Sequence, residues 1–270
     1  MSVLSRKVLC GLVAGAAAVG VAVAQPPTEP VKPPPSPGVA PAAAVDPVRT
    51  ADPLGAMLAD ARAAYAKVRD YTCVFTRQER INGVLSAEQV AEMKVRTQPY
   101  SVYVRFARPE GVAGLEAAFV ANRRDGKVRY KPAGKAGVNG FQTLSPEDPK
   151  VLAENRHPVS DLGVGKVIDR LVAVAAREKS LNNPVEAFAS DYAFAGKQVT
   201  RYEVFTRRPH AHRYAYRYLV YVDKETKLPV RFEAYDQPKP GASPDGELLE
   251  AYSYSDLRLN VGLGDSAFEY

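Results

Sequence analysis

Tryptophan is absent from this chain, histidine occurs three times and cysteine twice. These scarcities close several routes to chemistry. Metal sites draw on clustered His, Cys and carboxylates at fixed spacing. The only imidazoles are His157, His210 and His212. His210-Ala211-His212 sets two on one side of a strand, but Arg207, Arg208 and Arg213 surround them with positive charge, and no metal site is expected. There is no G-x-S-x-G elbow and no H-E-x-x-H helix. Gly163-Val164-Gly165-Lys166 lacks the Ser or Thr that follows the lysine of a phosphate loop. No motif unites nucleophile, base and oxyanion donor, so neither enzymatic activity nor a cofactor is expected. The excess of one charge over the other is also small, with 36 Lys and Arg against 30 Asp and Glu. The net +6 falls to +4 if Arg6 and Lys7 leave with a leader, and no basic stripe argues for nucleic acid.

Proline is plentiful instead, and ten of the 22 residues cluster in the first 53 positions. Met1–Ala24 reads as a secretory signal peptide: Arg6 and Lys7 precede an Ala/Gly-rich apolar run ending in Ala22-Val23-Ala24. The run approaches membrane-spanning length, so an uncleaved anchor is the rival reading. Either way the protein is expected to be periplasmic or otherwise exported. Residues 25–50 form a Pro-rich linker, tending to extended geometry at about 3.1 Å per residue. Cys73 would be the sole cysteine after cleavage. It stands between Tyr71 and Phe75 on one strand face, as a small buried hydrophobe does.

The remaining 220 or so residues, 51–270, supply apolar material for a core, the whole chain being 46% hydrophobic. Asp52–Asp70 reads as an amphipathic helix with Asp52 as cap and Pro53 in the first turn. The period then becomes two, through Tyr71-Cys73-Phe75, a turn at Asn82-Gly83, Val90–Thr97, Ser101–Ala107 and Leu115–Ala121. Residues 134–161 are loop-like. A second helix spans Gly163–Lys179, capped by Ser160 or Asp161. A strand around Thr200–Thr206 follows, then the hairpin 213–236. There Tyr214, Tyr216, Tyr218, Val220 and Val222 share one face, with Val230, Phe232 and Ala234 on the return. The last strand, Glu247–Asn260, sets Glu250, Tyr252 and Tyr254 on one side.

The segment Tyr71–Gly83 (YTCVFTRQERING) resembles the first strand pair of the DUF1571 family of secreted bacterial proteins, and Arg156-His157-Pro158-Val159 is similar to its middle signature. The stretch Asp223–Arg231 (DKETKLPVR) resembles a hairpin shared with LolA-like and LolB-like lipoprotein carriers. The resemblance implies an α+β fold: a single strongly curved antiparallel sheet, a LolA-like half-barrel, covered on its concave side by helices. In the carriers that hollow receives lipoprotein acyl chains.

The expected function is therefore binding of a hydrophobic ligand, a lipid or lipoprotein acyl chain, in a carrier or sensor role. The expected lining is Phe75, Met93, Val95, Val104, Phe106, Phe119, Tyr216, Tyr218 and Phe232, under a lid carrying Val167, Ile168 and Leu171. The alternative is an envelope protein-interaction module without a lipid, using an exposed apolar patch or an open sheet edge.

Overall fold

The computed structural model describes residues 40–41, 52–241 and 243–269. The expected leader, and all of the Pro-rich stretch except Ala40–Pro41, lie outside the described residues. The strands are β1 (Ala40–Pro41), β2 (Asp70–Ile81), β3 (Val84–Leu85), β4 (Gln89–Arg96), β5 (Ser101–Arg108), β6 (Glu116–Val120), β7 (Val128–Lys131), β8 (Gln142–Leu144), β9 (Glu186–Phe194), β10 (Lys197–Phe205), β11 (Arg217–Asp223), β12 (Pro229–Tyr235) and β13 (Leu248–Leu259). The helices are α1 (Pro53–Tyr65), α2 (Pro149–Leu152) and α3 (Val164–Ser180).

The sheet runs β1-β9-β10-β11-β12-β13-β2-β4-β5-β6-β7-β8, with β3 paired to β2 alone. All pairings are antiparallel, and the ladder stays open between β1 and β8. Most neighbours follow each other along the chain, as short turns require. Asn82 (φ 50°) and Gly83 (φ 81°) make one such turn, both in the left-handed region. The long-range exceptions are β1 against β9 and β13 against β2. The latter seats the last long strand in mid-sheet, with Tyr254 opposite Phe75 and Glu250 opposite Glu79.

One face of the sheet carries the main core. Tyr71, Phe75, Met93, Val95, Tyr218, Phe232 and Tyr252 meet Leu54, Met57 and Leu58 from α1 and Val164, Val167, Ile168 and Leu171 from α3. The opposite, outer face holds two smaller clusters, one around Phe194, Leu219, Tyr221 and Val230, the other around Tyr103 and Phe268.

Several sequence expectations shift. The first helix ends at Tyr65, and Val68 packs from the loop behind it. Asp52 does cap it, its Oδ1 accepting from the Gly55 N–H at 2.8 Å. The second helix is not capped by Ser160 or Asp161. Its N-cap is Gly163, at φ 118°, and the Val164 N–H donates instead to the Tyr71 hydroxyl on the sheet, at 2.8 Å. Strand β9 was not expected. Its Ala, Ser and Asp residues are poor strand formers, and the pairing with β10 holds it. Regular pairing in the large hairpin begins at Arg217, so Tyr214 and Tyr216 precede it. An irregularity opposite Tyr221 and Val222 turns Val230 to the outer face.

Close approach of the helices explains Gly165 on α3, where a Cβ would lie 2.3 Å from the Tyr65 ring on α1. Gly165→Val is expected to cost about 1–3 kcal/mol by overpacking, measured as a lower urea midpoint. An unchanged midpoint would show the seam to be loose. Cys73 is buried, and burial pushes its thiol well up. Iodoacetamide at pH 8 should therefore leave Cys73 unmodified in the native protein and alkylate it after unfolding, as read by peptide mass mapping.

Candidate functional site

Beneath the helices, two carboxylates face each other across β2 and β13. Glu79 and Glu250 are cross-strand partners, 3% and 0% exposed. Burial and mutual repulsion both oppose two charges here, and the chain supplies cations from three directions. His157 Nε2 lies 2.8 Å from Glu250 Oε2, and Arg156 Nε lies 3.4 Å from the same oxygen. Arg170 of α3 reaches Glu250 Oε1 at 3.3 Å. Arg77 stands 3.8 Å from Glu79 Oε2, which also accepts from the Arg156 N–H at 3.2 Å. The Tyr252 hydroxyl donates to Glu79 and lies 3.1 Å from Glu250 Oε2. Tyr214 completes the group, its hydroxyl 3.1 Å from both Arg156 Nε and His157 Nε2.

Electrostatics follow this geometry. Burial alone would push the Glu250 carboxyl up, but the hydrogen bond and charge of His157, with Arg170, hold it below its ordinary value. Burial, then the Glu250 charge, pushes the hydroxyls of Tyr214 and Tyr252 up. All four carboxylate oxygens have partners, so the cluster ties the Arg156–His157 segment and α3 to the sheet. Alternation had placed Glu250 with Tyr252 and Tyr254. A lone carboxylate on an otherwise aromatic strand face was the signal that it needed a buried partner.

The expected lining residues divide. Phe75, Met93, Val95, Val104, Phe106, Tyr218 and Phe232 lie together in the core, each at most 3% exposed, and Phe119 packs against them half-buried. Val167, Ile168 and Leu171 do face them from α3. Tyr216 is elsewhere: its ring stands 5.9 Å from Phe205 on the outer side, and its hydroxyl accepts from Arg207 at 2.6 Å. A chamber wide enough for a ligand would leave solvent-sized surface on its walls. The seven core residues show almost none, and they belong to one packed cluster with side chains of α1 and α3. Space opens instead between the helices. A groove of about 350 Å³ runs along Leu58 and Ala59 of α1 and Val172, Ala175 and Ala176 of α3, with Arg62 and Lys179 beside it.

Removing one partner of a buried ion pair is strongly destabilising, so Glu250→Ala should cost about 3–5 kcal/mol in urea unfolding. The folded-state pKa of Glu250 lies below its unfolded value near 4.5. Its contribution is therefore complete above that value and is lost as pH falls through the lower folded one. Wild-type stability should drop in that acid window, and Glu250→Gln should flatten the drop. Parallel pH profiles would contradict this account.

No curated protein matches the chain. Among solved structures, MucB is 14% identical over 82% of this chain and 63% of its own, with a TM-score of 0.51. The chain thus spans a little under two thirds of MucB. The Mycobacterium tuberculosis lipoprotein LppX is 11% identical over 80% of this chain and 99% of its own, at TM-score 0.47. A LolA superfamily protein from Nitrosomonas europaea is 12% identical over 80% and 97%, at 0.31. Such low identities concern fold only, and the open antiparallel sheet with helices on one face is an α+β fold shared with MucB. The model of a family described as a protein of unknown function, DUF1571, matches residues 68–270, and the chain belongs to that family.

Proposed function

We propose that this protein binds an amphiphile, an acyl chain with an anionic head, at the helix-covered face of its sheet, in a carrier or sensor role. The observation that carries this reading is the groove between α1 and α3, which has apolar walls and the cations Arg62 and Lys179 at its side. Its volume sits at the low end for small-molecule sites. Arg62 and Lys179 are exposed, so they meet a carboxylate or phosphate without first losing their hydration. In the same reading, the leader and linker deliver the domain to the cell envelope, where such ligands occur.

Depth of binding depends on the ion cluster. A short chain fits between the helices. A longer one reaches Phe75, Met93, Val95 and Phe232 only when α3 lifts, and that separates Arg170 from Glu250. Each buried methylene contributes about 0.8 kcal/mol, while breaking the buried pair costs about 3–5 kcal/mol. Roughly four to six extra methylenes offset that cost.

Displacement of a fluorescent fatty acid from the purified chain tests the proposal. Dodecanoate and longer acids should compete. Ala175→Trp, which fills the groove, should weaken competition roughly tenfold, about 1.4 kcal/mol, with thermal stability unchanged. Lys179→Glu should weaken fatty acids more than the corresponding alcohols. No binding of probe or acids by the wild-type chain would overturn the reading.

A further inference from the structure

The edge of the sheet at β9 is built unlike its interior. β9 pairs with β10 along its whole length, from Glu186 opposite Phe205 to Phe194 opposite Lys197. On its other side, among the described residues, it carries only Ala40–Pro41, set antiparallel against Ala193 and Tyr192. Among the described residues, the outward backbone groups of the Glu186–Asp191 stretch have no ladder partner. Such an edge is a template for another strand, and proteins commonly guard one with Lys or Pro. Glu186–Phe194 (EAFASDYAF) contains neither. The pairing with Ala40–Pro41 shows that the edge accepts an added antiparallel segment.

Side chains beside this stretch supply a second, independent feature. Phe188 is 51% exposed, although it is a large apolar residue. Its ring stands edge-on to Phe205 at 6.3 Å, and Phe205 in turn to Tyr216 at 5.9 Å. The Arg207 guanidinium lies 4.4 Å from the Phe205 ring centre. The result is an aromatic row on the outer face, continuous with the open edge. A residue placed directly opposite Phe188 on an added strand would have its Cβ about 5 Å away. Charge gives the third. Arg207 is matched by Glu186 at 2.8 Å. Arg208 reaches only the Asn182 carbonyl, at 3.5 Å, and Arg213 reaches carbonyls and the Gln237 amide. Neither has an ion pair among the described residues.

We propose that the β9 edge over Glu186–Asp191 docks an extended acidic peptide of a partner protein, which joins the sheet as a further antiparallel strand. Backbone hydrogen bonds supply affinity, an apolar residue of the peptide covers Phe188, and its carboxylates meet Arg208 and Arg213. An anionic lipid surface would use the arginines but leave the backbone ladder unpaired, so the open edge favours a peptide.

The test uses the full chain with two eight-residue peptides, one alternating valine and glutamate, the other valine and lysine. Calorimetry gives affinity and NMR hydrogen exchange gives the site. The acidic peptide should bind, and should slow exchange of the outward-facing amides within Glu186–Asp191 at least fivefold. Phe188→Asp and Arg208→Glu should each weaken binding roughly tenfold, with the melting temperature unchanged, since both side chains are exposed. The proposal is overturned if those amides are already protected in the free protein, which would mean that the chain's own segment holds the edge. It is equally overturned if the lysine peptide binds as well as the acidic one, if binding leaves the amides unchanged, or if only anionic vesicles bind.

Discussion

Two negative charges placed opposite each other under a helical cover constrain most of this fold. Neither Glu79 nor Glu250 can reach water, and an uncompensated buried charge costs more than a domain's usual margin of stability. The strand pair β2–β13 therefore exists in its observed form only if Arg156, His157 and Arg170 arrive as well. These come from the segment before α3 and from α3 itself. The cluster also fixes register. Slipping β13 by one residue would turn Glu250 outward and bring its apolar neighbours onto the wrong face. Ion clusters of this kind add little net stability compared with an apolar core. Here the cluster ties three separate parts of the chain into one arrangement.

Tyrosine does related work at the helix end. The Tyr71 hydroxyl accepts from the Val164 N–H, and the Tyr100 hydroxyl donates to the Leu162 carbonyl. Helix starts leave backbone donors without partners, and a buried start needs them met. Gly163 has no side chain to cap with, and a Cβ there would lie 2.8 Å from the Tyr71 oxygen. The sheet thus supplies both the floor for α3 and its cap. This is why tyrosine suits the fold: rings such as those of Tyr71 and Tyr252 fill core volume while their hydroxyls meet polar groups.

The sequence made some of this legible and hid the rest, for identifiable reasons. Strands with unlike faces, such as β4, β5 and the hairpin β11–β12, were readable because alternation reports burial directly. β9 was not, because its burial is set by neighbours far along the chain and its own residues favour no particular state. Val230 was misplaced because a pairing irregularity beside Pro229 breaks the alternation that strict period two assumes. The ion cluster was half visible. Arg156-His157 stood out by resemblance and Glu250 by its odd place among tyrosines, but only the β13–β2 pairing brings Glu79 beside it. The filled hollow could not have been foreseen, since a packed core and an empty chamber require the same alternating apolar residues.

The two faces of the sheet meet opposite demands. On the helix-covered side, every buried polar group of the cluster is matched internally, and a ligand has to compete with α1 and α3 for the walls they cover. On the outer side, the sheet is left partly undressed: Phe188 and Arg208 are exposed and Arg213 is half-buried, beside a strand edge that is only partly paired among the described residues. Strand addition there needs no core rearrangement, because β9 is already held by β10. Amphiphile uptake under α3 does need one. Under the proposed readings the two events therefore differ in kind. One is a surface association governed by edge hydrogen bonds and charge, the other an opening governed by chain length. β9 also contacts α1, so α1, which walls the groove, offers one physical route by which the two sites could be coupled.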